Sequence, residues 1–354
     1  ATALVISAYL AHFYPSLESG HPGATVIELG FVTIQLGGAQ LAACGIVIAF
    51  TLLNLLGVAQ VAALQNVLTA TKLLVIAAFV VLGFTVGTGD WGHFTQSIEP
   101  TSSHGLGVQF AVSLVFVYLG YSGWNAAVYV AEEIRHPGRT LPIALILGTF
   151  LVAILYVVLN CLYVFAVPLE DLKGVVAVGS AASASLFGPR VSGLFSAAMA
   201  VSLLATVNAM CMIGPRVYYA MAKNRAFFAI AARVHPRWKS PWLAVICQGI
   251  CCCLLILMAT FRDLLVYVGF TLNLFSALSV LALLKFRKRP EWKRLPWVGF
   301  GYPLLPSLYI AVNLWIFLHF ATSEVKVAAW SLATIVAGAL IYHFSIKRRH
   351  PEAH

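Results

Sequence analysis

The sequence predicts an all-α, polytopic membrane protein, and two features of its composition lead to that prediction. The 354 residues are 61% hydrophobic and 10% charged, whereas soluble globular domains carry about 25% charged residues. The apolar residues also occur in blocks of about 20, the length that an α-helix needs to cross a bilayer. A bilayer offers no partner for backbone N–H and C=O groups, and the alternating pattern of a membrane barrel is absent, so the spans are expected to be helices.

Nine complete spans can be placed along the chain, after one shorter apolar segment. They are expected near residues 38–57, 66–87, 107–131, 141–166, 190–214, 242–260, 264–285, 302–321 and 327–346. Residues 1–15 are apolar but too short to cross a bilayer, and they lack the basic flank of a signal peptide. We interpret this segment as the end of a helix and expect the sequence to be a fragment.

Lysine and arginine are distributed unevenly between the loops, which predicts the orientation of the spans. If the loop after span 107–131 is cytoplasmic, 17 of the 22 Lys and Arg residues lie on that side and four on the other. This bias satisfies the positive-inside rule and predicts a cytoplasmic C-terminus in a cell membrane. It also accounts for the net charge of +10, so nucleic-acid binding is not needed to explain the basic residues.

The cysteines and histidines give no support for metal or thiol chemistry. All seven cysteines lie in predicted spans, and the consecutive Cys251, Cys252 and Cys253 point about 100° apart on a helix. They are interpreted as small packing residues. The ten histidines lie mostly in loops or near span ends and form no HExxH motif. No catalytic residue, metal site or cofactor is expected.

The centre of span 107–131 combines residues that weaken a helix with residues that suit a polar ligand. From Gly120 to Asn125 it reads GYSGWN, which places two glycines, a serine and an asparagine deep in the bilayer. Glycine favours unwinding, and unwound backbone at this depth survives where it lines a cavity or is buried in protein. Carbonyl groups freed at the end of the first half-helix would suit an ammonium group. A small-residue packing face is the alternative.

Four polar residues inside other predicted spans are further candidates. Lys72 is about two helical turns from the cytoplasmic end of span 66–87, and a charge at the bilayer centre costs about 2.5–3.5 kcal/mol on insertion scales. The lysine either extends to the headgroups or is a cation held inside the bundle. Thr206, Asn208 and Asn273 either contribute to a site or form ordinary interhelical hydrogen bonds.

Four stretches resemble the amino acid–polyamine–organocation transporter superfamily, and within it the L-type amino acid transporters and their bacterial relatives. They are YSGWNAAVYVAEEIRHPGRTLPIAL from Tyr121, LLGVAQVAALQNVLTATKLL from Leu55, SLLATVNAMCMIGPRVYYAMAKN from Ser202 and VGFTLNLFSALSVL from Val268. The resemblance implies the leucine-transporter fold, with two inverted five-helix repeats and two extra helices. Residues 1–354 would then form a single transporter domain, from part of family helix three through helix twelve, without the first two helices.

The resemblance also implies roles for individual residues. The unwound part of the sixth family helix, whose carbonyls hold the substrate amino group, matches a stretch of seven residues. They are Leu119, Gly120, Tyr121, Ser122, Gly123, Trp124 and Asn125. Leu119 departs from the L-type members, which carry an aromatic gate there. Lys72 matches a lysine whose ammonium takes the place of sodium, Thr206 matches a hydroxyl beside it, and Asn273 is a further substrate-binding candidate.

These implications favour a sodium-independent permease or exchanger for neutral amino acids. The centre of span 107–131 has no acidic residue, so a cationic side chain would lack a counter-charge. The amino acid and the lipid bilayer are the expected partners. Heteromeric family members bond to a heavy subunit through a cysteine after helix three, and loop 11–37 contains no cysteine, so no disulfide-linked heavy subunit is expected.

Two other functional classes stay open at this stage. An intramembrane enzyme would need converging acidic, histidine or cysteine residues, whereas Glu132 and Glu133 lie at the cytoplasmic end of a span. A receptor that binds amino acids without moving them would have the same sequence features as a transporter. The first family helix, which binds the substrate carboxylate, has no match here, so the 354 residues alone are expected not to transport.

Overall fold

A computed structural model confirms the all-α architecture. It describes residues 1–18, 20–21, 23–29, 32–56, 58–96, 105–129, 131, 134–290 and 301–346. The helices in these residues are α1 (Thr2–Leu10), α2 (Gly38–Leu55), α3 (Val58–Thr85), α4 (Leu106–Gly120), α5 (Ala126–Tyr129), α6 (Pro137–Ala166), α7 (Val178–Phe187), α8 (Pro189–Lys223), α9 (Trp242–Met258), α10 (Phe261–Phe286), α11 (Leu304–Ser323) and α12 (Val325–Ile341).

Seven of the described helices are long and apolar enough to cross a membrane, which makes the chain a multi-pass membrane protein. They are α2, α3, α6, α8, α10, α11 and α12. The other two predicted spans differ for separate reasons. Helix α9 is apolar but has 17 residues, and span 107–131 is divided between α4 and α5.

A two-stranded antiparallel ribbon and helix α7 were not predicted from the sequence. Strand β1 (Thr25–Leu29) pairs with β2 (Val32–Leu36), and both strands are rich in the β-branched residues that favour extended backbone. Helix α7 has ten residues, which is half the length of a span. A search for spans of about 20 apolar residues therefore passes over it.

Two compact units make up the chain, and helix α8 is the centre of the first unit, residues 1–99, 153–261 and 345–354. This helix packs against α1, α2, α3, α7 and α9. Its small residues Ser192, Gly193 and Ser196 are buried, and small residues let neighbouring helices approach closely in membranes. Beside it, the fully buried Phe79 of α3 packs its ring against Phe195, with 5.2 Å between the ring centroids.

A chain of amide side chains joins α2, α3 and α8 within this unit. Asn54 Nδ2 donates to Asn208 Oδ1 at 3.3 Å, and Asn208 Nδ2 donates to Gln65 Oε1 at 2.8 Å. Gln65 Nε2 in turn donates to Thr69 Oγ1 at 3.2 Å. Asn54 and Asn208 are buried, where lipid offers polar groups no partner. We call these four residues the amide chain.

Helix α10 is tied to two neighbours in the second unit, residues 100–152 and 262–344. Asn273 Nδ2 donates to Asn313 Oδ1 of α11 at 2.8 Å. The hydroxyl groups of Tyr267 and of Thr334 in α12 are 2.9 Å apart. Helix α11 also packs against α4 and α12. The buried core of this unit contains Val266, Phe270, Ile316 and Ala328.

Replacing Asn208 by leucine tests the amide chain. Asn208→Leu removes two interhelical hydrogen bonds of about 0.6 kcal/mol each and leaves the oxygen of Gln65 without its donor. We expect the free energy of unfolding to fall by about 1–2 kcal/mol, measured by thermal or denaturant unfolding in detergent.

Asn160→Leu is the matched control for this substitution. Asn160 is exposed, and its amide donates to Tyr156 O of its own helix at 2.8 Å. The control should therefore unfold like the unsubstituted chain. Equal stability of the two variants would contradict a stabilising role for the amide chain.

Candidate functional site

The helix predicted over 107–131 is interrupted where the sequence placed the interruption. Helix α4 ends at Gly120 and α5 begins at Ala126. Gly123 has φ +99°, in the left-handed region that glycine adopts without steric cost. The prediction of two half-helices separated near Tyr121–Asn125 is therefore confirmed.

Backbone hydrogen bonding is incomplete across the interruption. The Ser122 N–H donates to Leu119 O at 3.0 Å, which tightens the end of α4 into a turn. Within the described residues, the N–H groups of Gly123, Trp124 and Asn125 donate no backbone hydrogen bond. The regular ladder of i to i−4 bonds is thus lost over these positions.

Carbonyl groups beside the interruption are available to a ligand. The carbonyl oxygens of Tyr118 and Ser122 accept no hydrogen bond from any residue that the structure describes. They stand at the C-terminal end of a half-helix, where the helix dipole makes the potential negative. This is the polarity that favours a bound ammonium group.

A cavity of about 520 Å³ borders the interruption within the second unit. All five residues of Tyr121–Asn125 contribute to its wall, together with Thr149 of α6, Phe275 and Ser276 of α10, and Tyr309 of α11. Every described residue of the wall is uncharged. The cavity therefore combines aromatic surface with neutral hydrogen-bonding groups.

Several side chains in the cavity wall are already hydrogen-bonded. Asn125 Nδ2 donates to the Tyr129 hydroxyl at 2.7 Å. The Tyr118 hydroxyl donates to Ser276 Oγ and lies 3.3 Å from Leu272 O. These bonds hold the polar groups in defined directions, and pre-oriented groups lose little freedom when a ligand binds.

The seven residues predicted from the sixth family helix separate into two groups. Tyr121–Asn125 line the cavity, whereas Leu119 and Gly120 lie in the last turn of α4, outside the cavity wall. Asn273 is 2% exposed and is bonded to Asn313 of α11. A substrate-binding role for any of these residues stays a prediction.

Lys72 and Thr206 are in direct contact within the first unit. Lys72 Nζ donates to Thr206 Oγ1 at 2.8 Å, and the lysine is partly buried. The predicted direction of Lys72, toward the helix that carries Thr206, is confirmed. Its alternative, extension to the headgroups, does not fit this contact. Substitution for a bound sodium ion stays a prediction.

The amide chain and this lysine share helices α3 and α8. Gln65 and Lys72 are separated by about 10.5 Å along α3, whereas Thr206 and Asn208 are about 3 Å apart along α8. Helical side chains lean toward the N-terminus, which is the direction in which Gln65 lies from Lys72 along α3.

Sequence reasoning missed some of the residues around both features. Gln65, Thr69 and Lys72 recur at i, i+4 and i+7, a spacing that puts them on one helix face, so this stripe could have been recognised. The contact between Tyr118 and Ser276 joins residues 158 positions apart. No local pattern in the sequence indicates such a pair.

Comparison with known proteins assigns the chain to a family. The profile of the amino acid permease family matches residues 3–341. The chain is 29% identical over 319 residues to the b(0,+)-type amino acid transporter 1 of Mus musculus, covering 86% of this chain and 62% of that protein. It is 25% identical over 304 residues to the serine/threonine exchanger SteT of Bacillus subtilis (strain 168), covering 84% and 67%.

A third relative is the large neutral amino acids transporter small subunit 2 of Homo sapiens. It is 27% identical over 327 residues, covering 88% of this chain and 58% of that protein. The chain thus spans about three fifths of the length of such relatives. These relatives are transporters or exchangers, not enzymes. The chain belongs to the amino acid permease family of the amino acid–polyamine–organocation superfamily.

Proposed function

We propose that the 354 residues form a single transporter domain of a secondary amino acid transporter, either a permease or an exchanger. The interrupted helix beside an uncharged cavity carries this proposal. In a bilayer an interruption leaves backbone groups unpaired, which is tolerated where they line a cavity or are buried in protein. The family profile and the names of the relatives support amino acids as the class of substrate.

The substrate ammonium is proposed to bind at the end of α4. The carbonyl oxygens of Tyr118 and Ser122 accept no bond in the described structure and lie at the negative end of a half-helix. An ammonium group has three N–H donors, so it satisfies both carbonyls at once when they converge on it. A carboxylate at this position would meet the wrong polarity.

The substrate side chain is proposed to be neutral. The described cavity wall contains no Asp, Glu, Lys or Arg, so a charged side chain would be removed from water without a counter-ion. Such burial is costly unless the charge is paired. The hydroxyl groups of Thr149 and Ser276 can accommodate polar neutral groups, and Phe275 and Trp124 can pack against apolar ones.

Lys72 is proposed to make transport independent of sodium. Its ammonium donates to Thr206 Oγ1 at 2.8 Å, and this fixed positive charge would occupy the place of a bound cation. A sodium ion beside the same hydroxyl would be repelled by the lysine. The amide chain supports the arrangement by joining the two helices that carry the pair.

The setting of the domain is proposed from the sequence. The positive-inside bias of the loops supports a location in the cell membrane, with the C-terminus in the cytoplasm. Residues 347–354 lie outside the described residues. Loop 11–37 has no cysteine, so the transporter is proposed to work without a disulfide-linked heavy subunit. Glu132 and Glu133, considered above for an enzyme, also lie outside the described residues.

Replacing sodium tests the role of Lys72. We expect cells expressing the full reading frame that contains these residues to take up labelled alanine equally well in sodium and in choline buffer. Lys72→Met should lower uptake about tenfold, because the acceptors around the ammonium lose their cation. Initial uptake rates, corrected for protein at the cell surface, provide the measurement.

Lys173→Met is the control for the lysine substitution. Lys173 lies in a loop, where it pairs with Glu170 at 2.8 Å, and exposed pairs contribute little. This variant should transport normally. Uptake that disappears in choline buffer, or normal uptake by Lys72→Met, would contradict the proposed role of Lys72.

Competition between unlabelled amino acids tests the class of side chain. Alanine, serine and leucine should each inhibit uptake of labelled alanine at concentrations about tenfold lower than arginine or glutamate, because the uncharged wall cannot pair a charged side chain. Half-inhibitory concentrations in the same cells are compared. Stronger inhibition by arginine or glutamate would show the proposed side-chain class to be wrong. Saturable binding without uptake would instead indicate a receptor.

A further inference from the structure

The Tyr118 side chain links the end of α4 to helix α10 across the cavity wall. Its hydroxyl donates to Ser276 Oγ and lies 3.3 Å from Leu272 O. Tyr118 is partly buried, and both Tyr118 and Ser276 line the cavity. A phenolic hydroxyl has a single proton, which the Ser276 and Leu272 oxygens of α10 share. The side chain of Tyr309 on α11 is a further hydrogen-bonding partner of the same hydroxyl.

The hydroxyl contacts of Tyr118 restrain the backbone at the end of α4. Tyr118 lies in the last turn of α4, which ends at Gly120, and its own carbonyl is one of the two that receive no hydrogen bond from a described donor. Gly120 and Gly123 follow, and glycine gives the backbone wide conformational freedom. An anchor at Tyr118 therefore limits the motion of the carbonyls immediately before that flexible stretch.

Helix α4 contacts α11 in its earlier turns. In its earlier turns, the Phe110 ring lies 6.4 Å from the ring of Trp315, and Leu114 packs against the core that contains Ile316 of α11. Phe110, Phe116 and Val117 are all exposed, so exposure does not distinguish the two ends of the helix. Near the interruption, the hydroxyl contacts of Tyr118 add a restraint.

We propose that Tyr118 and Ser276 are positioning residues for substrate binding. Their hydroxyl pair holds the last turn of α4 at a fixed distance from α10 and so places the carbonyl oxygens that receive the substrate ammonium. The inference rests on the proposed function, because it concerns how the same site binds. Small errors in the placement of binding groups are costly when several must converge on one ligand.

The chain contains a matched control for this pair. Tyr267 of α10 also links two helices through its hydroxyl, which is 2.9 Å from Thr334 Oγ1 of α12. Both tyrosines belong to the second unit, but Tyr267 is outside the described wall of the cavity. Tyr267→Phe therefore removes the same chemical group and a comparable contact without touching the site.

The test compares the uptake kinetics of labelled alanine for Tyr118→Phe, Ser276→Ala, the double variant and Tyr267→Phe. Each is made in the full reading frame that contains this chain, and thermal stability in detergent is measured in parallel. Tyr118→Phe should raise KM about fivefold, as expected for one lost hydrogen bond. Ser276→Ala should raise KM about twofold, because Leu272 O and the Tyr309 side chain remain as partners of the Tyr118 hydroxyl.

The double variant distinguishes a shared contact from two separate effects. If the hydroxyl groups act as a pair, its KM should stay about fivefold above the unsubstituted value, as in Tyr118→Phe, whereas independent effects would multiply to about tenfold. Tyr267→Phe should keep the unsubstituted KM even if its stability falls. If Tyr118→Phe does not fold, the KM of Ser276→Ala still tests the positioning role.

Three results would overturn the inference. An unchanged KM in both Tyr118→Phe and Ser276→Ala would remove the positioning role, as would an increase in Tyr267→Phe equal to that in Tyr118→Phe. Multiplied losses in the double variant would show that the hydroxyl groups act independently. Absence of uptake by the unsubstituted protein is a different failure, since it would overturn the proposed function and this inference with it.

Discussion

The bilayer supplies no hydrogen-bond partners, and the interruption at Tyr121–Asn125 is the place where this constraint acts most strongly. A continuous helix satisfies its own backbone, whereas a break at membrane depth leaves N–H and C=O groups that something else must satisfy. Gly123 makes the break possible through its positive φ. The hydroxyl and aromatic side chains of the surrounding cavity then determine which ligand can hydrogen-bond to the unpaired backbone groups.

In each compact unit, hydrogen bonds between neighbouring helices hold polar groups of the described residues in place. In the second unit, Tyr118 and Ser276 restrain the end of the broken helix. In the first unit, Lys72 is bonded to Thr206, and the amide chain joins the helices that carry them. Interhelical bonds of this kind are individually modest in membranes. Here they fix the position of a charge or a carbonyl group at a depth where the bilayer offers no water to hydrogen-bond it.

The sequence predicted those features that depend on local composition. Runs of apolar residues located the long helices, and the glycines with Ser122 and Asn125 located the break. The Lys72–Thr206 contact was predicted from the family resemblance and is present. The partners of Tyr118 and Asn208 could not be predicted, because each depends on how distant helices pack. The ribbon of β1 and β2 and helix α7 were missed because both are shorter than a span.

The most direct test of the account is a structure of the full-length protein with a bound neutral amino acid. The account predicts that the amino nitrogen lies about 3 Å from carbonyl oxygens at the end of α4, among residues 118–122, with the side chain in the cavity bordered by Trp124 and Phe275. An amino acid bound elsewhere, with its amino group paired to a carboxylate and the interruption unoccupied, would contradict the central claim.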